Sequence, residues 1–344
     1  MSHNNVIKRL IKRSIQIFAA KFGPHSRTHS QPKLLILMYH RILPLNDERV
    51  LFEEPGMIVT PDTLKMNLEV ISEYFEFVKL SEWIEKKQKG LPLPDKACAI
   101  TFDDGWVDNY QFAYPILREM NIPASIFLVS DMIGSDAMFW PERLTRTIVD
   151  IAIHQPQQWN NSLLDFIVKA QSDYEFSNIP PSREQLSQII AHSKQYTDQE
   201  IHKRLDNIEM NLSLQNIPKD PSLLNWEQVT EMTESGLIEI GSHTCNHIRL
   251  NSHTPKKVIE NEIKQSKIQI EKHTKLPVNT FCFPNGDYSD DALAFIKTQY
   301  DCAVTTKNGW NSSQSDHYKL QRIGLHEDIA NDKVSFLARI SGWI

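Results

Sequence analysis

The sequence predicts an α/β fold in which parallel strands alternate with helices. Apolar runs typical of buried strands are separated by segments with helical apolar spacing, and polar residues recur directly after the strands. Repeated strand–helix units imply right-handed crossovers between parallel strands. Barrels of this class build their active sites at the carboxyl ends of the strands, so the polar residues that follow the strands are the candidates for chemistry.

The first half of the chain contains four strand candidates. Residues 34–39 form a continuous apolar run, as expected of a strand covered on both faces. Thr60 and Pro61 fit the cap and first turn of a helix, because a threonine hydroxyl accepts from the helix N-terminus and proline needs no acceptor there. Further strands are expected at 77–80, 97–102 and 124–129, and a helix at 114–120.

The second half repeats this pattern after a segment that interrupts it. Trp226, Val229 and Thr233 share one helix face, and Gly236 fits the end of that helix. Further strands are expected at 237–241, 280–283 and 302–305, and a long amphipathic helix at 259–270. Residues 141–221 are rich in Gln, Asn and Ser, and we expect a helical insertion over the barrel mouth, as a substrate lid or as structural packing.

Composition excludes several classes of protein. A net charge of -6 and a pI near 6.1 argue against nucleic acid as a partner, because phosphate binding requires a basic surface. The four cysteines contain no CxxC pair, which argues against a zinc ribbon or a thioredoxin-like motif. Cys98 and Cys302 lie in apolar runs, so we expect buried, reduced thiols and a reducing compartment.

Residues 1–32 are expected to form a basic amphipathic helix, at 6–22, and a polar linker. Lys12 and Arg13 interrupt the apolar run, which argues against a secretory signal, and no stretch reaches the length of a spanning helix. Such a helix can lie on an anionic membrane surface or dock on the protein body or a partner. We therefore expect a cytoplasmic protein, with peripheral contact at the inner face of the membrane as one use of this helix.

Two adjacent acids, Asp103 and Asp104, follow the predicted strand at 97–102 within the sequence TFDDG. Two carboxylates at a strand end are unfavourable unless a cation compensates them. Adjacent strand residues point in opposite directions, so one acid could hold a metal ion while the other accepts a proton. A solvated Asp-Asp-Gly turn is the alternative.

Two histidines, His243 and His247, follow another predicted strand. Residues four apart share a face of a helical turn, so both imidazoles can reach one ion. Two imidazoles and one carboxylate leave coordination positions open, which is typical of a catalytic metal site. Unrelated loop histidines are the alternative, and Cys245 between them is not counted as a ligand.

These motifs together resemble the polysaccharide deacetylase family, also called the NodB homology domain or carbohydrate esterase family 4. The family motif T-F-D-D-G is matched by residues 101–105, and H-[ST]-x-x-H by residues 243–247. Both occur in the family's order and each follows a predicted strand. The segments at 39–42 and 123–129 are also similar to the family.

The resemblance implies a distorted (β/α) barrel with a helical insertion as the catalytic domain at 33–344, preceded by the helix and linker of 1–32. It implies that Asp103 is the general base, and that the bound metal polarises an acetyl carbonyl and activates water. The implied ligands of this divalent metal, usually Zn²⁺, are Asp104, His243 and His247.

The segment FCFPNGD at 281–287 is the third feature of interest. A Pro-Asn-Gly turn after a strand leaves backbone N–H groups available, so Asn285 is expected to stabilise an oxyanion, with Pro284 beside the substrate. An ordinary turn is the alternative. The family often carries here an arginine that orients the base, but this chain has Cys282, and either Arg143 or Arg322 is expected to replace that cation.

The catalytic acid of the family is a late histidine after a leucine, and His326 is the nearest match. His40 is the second candidate, as acid or as substrate contact, because it ends the first predicted strand. Trp310 lies in an irregular region and could stack on a sugar ring, although core packing is a common role for tryptophan.

The function expected from these features is hydrolysis of N-acetyl groups on an amino sugar or its polymer during surface-glycan biosynthesis. Deformylation of a lipid-linked aminosugar is an alternative that uses the same site. A non-catalytic carbohydrate-binding relative is an alternative of another class, which the four matched metal and base residues disfavour. The sequence predicts an N-acetylated carbohydrate as partner and does not specify an oligomeric state.

Overall fold

The computed structural model describes residues 3–171, 176–214 and 222–344 of the chain. The predicted insertion therefore includes two short stretches, at 172–175 and 215–221, that lie outside the described residues. The strands are β1 (Lys33–Tyr39), β2 (Arg41–Ile42), β3 (Ile58–Val59), β4 (Glu76–Phe77), β5 (Lys96–Phe102), β6 (Ala124–Leu128), β7 (Ile238–Ser242), β8 (Thr280–Cys282), β9 (Cys302–Val304), β10 (Asn311–Ser312) and β11 (Ile323–Gly324). The helices are α1 (His3–Phe22), α2 (Pro61–Ser72), α3 (Leu80–Gln88), α4 (Tyr114–Met120), α5 (Trp140–His154), α6 (Asp165–Val168), α7 (Arg183–Ser193), α8 (Asp198–Leu212), α9 (Trp226–Glu234), α10 (Lys256–Thr274), α11 (Asp290–Gln299), α12 (Glu327–Ala330) and α13 (Lys333–Ile340).

The main sheet is parallel and curls into the distorted (β/α) barrel that the sequence predicts. Strands β1, β5, β6, β7, β8 and β9 pair in that order. Strand β11 runs parallel to the carboxyl half of β1, and β10 pairs antiparallel with its amino end. Beyond β9, Val304 forms a parallel bridge with Leu320, so the sheet returns towards β1 through an irregular segment that ends at β11.

The two-residue period of the strands decides which side chains face the barrel interior. Ala97 and Ala99 of β5 belong to the apolar cluster inside the barrel, whereas Ile100 packs in the cluster that includes the outer helices. The inward row of β5 continues to Asp103. A Cβ at Gly241 of β7 would lie 2.4 Å from the Phe127 ring, so close packing of β6 and β7 requires glycine there.

Two helix boundaries form as predicted. The Thr60 side chain accepts a hydrogen bond from the Thr63 N–H at the start of α2, with Pro61 in the first turn. Gly236 follows α9 with a φ of 75°, a left-handed conformation that glycine adopts without strain.

The predicted linker at 23–32 is not an extended linker. Residues Pro24–Ser26 form a 3₁₀ turn, His25 is fully buried, and the Lys96 ammonium donates to the His25 carbonyl. Helix α1 is also attached, because Arg13 forms an ion pair with Asp332 at 3.0 Å. The N-terminal segment is therefore part of the barrel unit.

The chain divides into two compact units. The first contains Met1–Pro44, Val59–Ser135 and Leu223–Ile344, and the second contains Leu45–Ile58 and Asp136–Ser222. The second unit has its own apolar core from α5 to α8 and includes the predicted insertion. Within the described residues, no helix combines the length and apolar content needed to cross a bilayer.

Candidate active site

Three side chains converge beyond the carboxyl ends of β5 and β7. The Nε2 atoms of His243 and His247 each lie 3.4 Å from Oδ1 of Asp104, and the two imidazole centroids are 4.8 Å apart. Ligand atoms bound at about 2.1 Å in a tetrahedral zinc site lie about 3.4 Å from one another. The spacing therefore fits a divalent cation, and a set of three ligands leaves a fourth position for water or substrate.

Hydrogen bonds from neighbouring residues orient the side chains of the candidate ligands. The His243 Nδ1 lies 2.8 Å from the Cys282 carbonyl oxygen, to which it can only donate, so the lone pair of the neutral imidazole is on Nε2. The Trp106 indole N–H donates to Oδ2 of Asp104 at 2.9 Å, which directs Oδ1 towards the histidines. Both hydrogen bonds would hold the His243 and Asp104 side chains in position before a metal ion binds.

The electrostatics of the cluster favour a positive charge at this point. Burial lowers the pKa of His243, but Cys282, Asp104 and Asp103 raise it, and the net pKa lies well above the usual histidine value. Burial raises the pKa of Asp104, but a hydrogen bond from His243 and the nearby His247 lower it by more. Asp104 is therefore ionised at neutral pH.

A buried cation holds the Trp106 ring in place. The Arg41 guanidinium carbon lies 4.1 Å from the ring centroid, a cation–π contact. Arg41 donates to Asp108 at 2.9 Å, and the Ile42 N–H donates to the same carboxylate at 2.7 Å. Arg41 and Asp108 are both buried, so this pair orients the indole that orients Asp104.

The backbone at the ligands is strained. Asp104 and His247 have φ values of 77° and 57°, and Thr244 has 69°. The left-handed region is unfavourable for residues with a side chain, most of all for a β-branched threonine, and costs about 1–3 kcal/mol for each residue. Strain of this kind persists only where the surrounding structure imposes it.

Buried Glu262 of α10 imposes the conformation of the histidine turn. Its carboxylate accepts from the N–H groups of Cys245 and Asn246 at 2.9 Å each, and from the Asn246 amide. From the β6 side, the Ser130 N–H donates to the Thr244 carbonyl at 3.1 Å. The turn that carries His247 is therefore held by two neighbouring elements.

Asp103 is paired with an arginine inside the barrel. The Arg322 guanidinium donates to both Asp103 oxygens at 2.7 Å, to Thr101 Oγ1 at 3.2 Å and to the Thr305 carbonyl at 2.9 Å. Burial raises the pKa of Asp103, but Arg322 lowers it by more, so the carboxylate is ionised. One Asp103 oxygen lies within 4.8 Å of a His243 nitrogen, which brings the base candidate next to the metal ligands.

Arg322 is one of the two arginines expected to replace the cation of the family motif, and the structure places it at Asp103. Its terminal nitrogen lies 3.1 Å from Cys282 Sγ, so guanidinium and thiol share this corner of the barrel. Burial raises the pKa of Cys282, which keeps the thiol neutral. The expectation for Arg143 is wrong in this respect, because its guanidinium binds Asp206 and Glu209 within the second unit.

Two predicted histidines lie at the carboxyl ends of neighbouring strands. His40 follows β1, and its Nε2 is 3.9 Å from Oδ2 of Asp103. His326 follows β11, where the Leu325 N–H donates to the Met38 carbonyl of β1. The buried Nδ1 of His326 has no hydrogen-bond partner within the described residues.

The predicted turn at Asn285 forms after β8. Pro284 is buried, and Asn285 has a left-handed φ of 56°. The N–H groups of Gly286 and Asp287 donate to carbonyls of the turn. The role of the Asn285 N–H in stabilising an oxyanion stays a prediction.

The structure does not bring Trp310 to this site. The residues after it, in β10, pair with the amino end of β1, whereas Asp103 follows the carboxyl end of β5. Its indole N–H donates to the Ile340 carbonyl at 2.7 Å, and its ring packs against Phe75. Trp310 is a packing residue at the opposite end of the barrel.

Trp106 and Glu262 are among the positioning residues that were not identified from the sequence alone. Trp106 directly follows the TFDDG motif, so its position beside Asp104 was a usable signal. Glu262 lies on the same face of the predicted helix as Ile259 and Ser266. A carboxylate on a buried helix face requires a hydrogen-bond donor. The place of Glu262 in the sequence therefore indicated that it could position a neighbouring turn.

Comparison with known proteins gives a consistent set of relatives. The sequence matches the family described as Polysaccharide deacetylase over residues 90–170 and 185–301. YxkH of Bacillus subtilis, which carries a polysaccharide deacetylase name, is 24% identical over 309 residues, which are 86% of this chain and 73% of that protein. Poly-beta-1,6-N-acetyl-D-glucosamine N-deacetylase of Staphylococcus epidermidis is 35% identical over 109 residues, which are 29% of this chain and 37% of that protein.

Solved structures share the fold. Deacetylase PplD of Streptococcus pyogenes has a TM-score of 0.58 and 20% identity, covering 90% of this chain and 99% of that chain. IcaB from Ammonifex degensii has a TM-score of 0.56 and 18% identity, covering 90% and 97%. The chain therefore has the fold of these proteins, including the curled parallel sheet.

Proposed function

The chain belongs to the polysaccharide deacetylase family, and on this premise we propose that it is a metal-dependent hydrolase that removes N-acetyl groups from amino sugars of a surface glycan. One observation carries the proposal: the Asp104, His243 and His247 atoms converge at metal-ligand spacing beside Asp103. A three-ligand centre next to an ionised acid suits the attack of water on an amide.

Asp104, His243 and His247 would hold the divalent cation. Zinc is the best fit, because imidazole and carboxylate ligands at tetrahedral spacing suit it. When bound, the cation supplies polarisation of the acetyl carbonyl and a lower pKa for water.

Asp103 accepts the proton of the attacking water. Arg322 keeps the carboxylate ionised and fixes its plane through two hydrogen bonds at 2.7 Å. Asp103 Oδ2 also accepts from the Cys282 thiol at 3.5 Å, so we assign the proton to the second lone pair of Oδ1. The Asn285 N–H stabilises the negative charge that develops on the carbonyl oxygen, and Pro284 packs beside it.

His326 donates a proton to the leaving amine, with His40 as the competing candidate. The position of His326 after β11, beside the carboxyl end of β1, supports this assignment, and its Nδ1 lies 3.8 Å from Oδ2 of Asp328. We expect His326→Gln to lower amide hydrolysis about 10²–10⁴-fold but to retain hydrolysis of p-nitrophenyl acetate, whose leaving group needs no proton. The same pattern in His40→Gln, and not in His326→Gln, would reverse the assignment.

The substrate proposed first is a β-1,6-linked N-acetylglucosamine oligomer, because the Staphylococcus epidermidis relative is named for that polymer. The assay measures acetate released from a panel of N-acetylated oligosaccharides by the zinc-loaded protein. Asp103→Asn should retain zinc and lose about 10²–10⁴-fold in rate, whereas Asp104→Asn should lose both. Full activity in Asp103→Asn would exclude this mechanism.

Two other outcomes identify the alternative functions. Formate release from an N-formylated sugar without acetate release from any glycan would indicate a deformylase. Zinc and glycan binding without release of either acid would indicate a carbohydrate-binding protein.

A further inference from the structure

We propose that the outer face of α1, together with Trp343 and Ile344, is a docking surface for an anionic lipid bilayer. This surface belongs to the first unit, and the proposal does not depend on the proposed hydrolysis. Its large apolar side chains are 44–63% exposed, among them Leu10, Ile11, Phe18, Phe22, Trp343 and Ile344.

Helix α1 attaches to the barrel unit through its polar and small residues. The Arg13 guanidinium donates to both Asp332 oxygens at 3.2 and 3.0 Å and to Ser335 Oγ at 3.0 Å. Ala19 is buried, whereas Ile11 and Phe18 are exposed. At 3.6 residues per turn, positions 11 and 18 lie roughly opposite the attached stripe.

This orientation is the reverse of the usual one. An amphipathic helix on a globular protein ordinarily places its apolar stripe on the core and its charges in water. Here the partly exposed Arg13–Asp332 ion pair and the buried Ala19 hold the helix, and its isoleucines and phenylalanines are not buried. The apolar stripe therefore faces away from the protein.

The exposed surface continues from α1 to Trp343. The rings of Phe18 and Trp343 have centroids 6.3 Å apart, and the Arg27 guanidinium carbon lies 5.1 Å from the Trp343 ring. Tryptophan is favoured at membrane interfaces, where one end of the indole is apolar and the other is hydrated. The surface thus combines an apolar stripe, an aromatic ring and a cation.

The charges identify the occupant as an anionic bilayer. Residues 1–46 contain no Asp or Glu in a chain whose net charge is -6. The exposed basic residues around the stripe are Lys8, Arg9, Lys12, Lys21 and Arg27. Two copies of this surface would bring like charges together, whereas phospholipid headgroups complement them.

The experiment is co-sedimentation of the full chain with vesicles of phosphatidylcholine alone or mixed with phosphatidylglycerol. We expect binding only to the mixed vesicles, weakening as salt rises. Ile11→Asn/Phe18→Asn should weaken binding at least tenfold, and Lys8→Gln and Lys12→Gln about fivefold each. The matched control Met210→Asn, on α8 with 77% exposure, should bind like the wild type.

Three results would overturn the proposal. They are no sedimentation of the wild type with mixed vesicles, unchanged binding in the Ile11/Phe18 variant, and a dimer in analytical ultracentrifugation that this variant dissociates. The last would assign the surface to a second copy of the chain. Acetate release from a soluble oligomer should be unchanged in all variants, which separates this proposal from that of hydrolysis.

Discussion

Replacing Arg322 with glutamine is expected to destabilise the protein and to move its activity to higher pH. The Arg322 and Asp103 side chains are 0% and 3% exposed, so removing the guanidinium leaves a buried carboxylate without its cation. Breaking a buried ion pair in this way costs about 3–5 kcal/mol, compared with about 0–1 kcal/mol for an exposed pair. Thr101 and Thr305 also lose a donor.

The pH dependence has a definite sign. In the wild type, Arg322 lowers the pKa of Asp103. The ion pair therefore stabilises the folded protein fully above the pKa that Asp103 has in the unfolded chain. This stabilisation is lost as the pH falls through the pKa that Asp103 has in the folded protein. Without Arg322, burial is the dominant effect and raises the folded pKa of Asp103. The variant should therefore be most destabilised near pH 7, and the gap to the wild type should narrow towards about pH 4.

The measurements are urea unfolding and the pH profile of acetate release. Unfolding is measured with a chelator in both proteins, so that metal binding does not contribute to the free energy of unfolding. The acid limb of kcat/KM should move to higher pH in Arg322→Gln, because Asp103 must be ionised to accept a proton.

The control is Arg143→Gln, which removes an arginine of the second unit that is 16% exposed and paired with Asp206 and Glu209. We expect a loss of about 1 kcal/mol or less and an unchanged pH profile. An Arg322→Gln variant that unfolds within about 1 kcal/mol of the wild type, with the acid limb in place, would refute the reasoning.

Three further predictions concern the metal ligands. Trp106→Phe keeps an aromatic ring but removes the donor to Asp104, so zinc affinity should fall about 10–100-fold in competition with a chelator; unchanged affinity would remove Trp106 from the site. Glu262→Gln should weaken zinc binding about tenfold by loosening the turn before His247, with near-normal acetate release at saturating zinc; equal loss at all zinc concentrations would contradict a positioning role. Lowering the pH should release zinc, beginning above the usual histidine range because the pKa of His243 is raised; pH-independent affinity would contradict imidazole ligation.

The convergence of the three proposed metal ligands could be predicted from the sequence, because each lies in a short motif after a strand. Asp104 follows the apolar run of β5, and His243 follows that of β7. Parallel strands bring their carboxyl ends to one edge of the sheet, so local patterns were enough to place these residues together. The long strands β1, β5 and β6 were predicted from continuous apolar runs, whereas the short strands β2, β3, β10 and β11 were not predicted.

The partner of Asp103 could not be predicted with the same method. Arg143 and Arg322 have equivalent local sequence signals, and the choice depends on the irregular segment that closes the barrel after β9. There the Arg322 N–H donates to the Lys307 carbonyl, a pairing that no apolar period encodes. Trp310 lies in the same irregular segment and was predicted to stack on a sugar. It packs at the amino end of β1 instead, because no apolar period encodes the path of this segment.

The route by which Arg322 reaches Asp103 has a consequence for protein engineering. The compensating charge comes from the residue before β11, so we expect that position 282 needs only to fill the buried space beside Arg322 and Asp103. Alanine or serine should therefore be tolerated at position 282. Either substitution would remove the thiol beside Arg322 and leave the proposed catalytic residues unchanged. An arginine at 282 would instead place two guanidinium groups against one carboxylate. In this chain we expect substitution to be tolerated at the position of the family's motif arginine and to be harmful at position 322, which no motif marks.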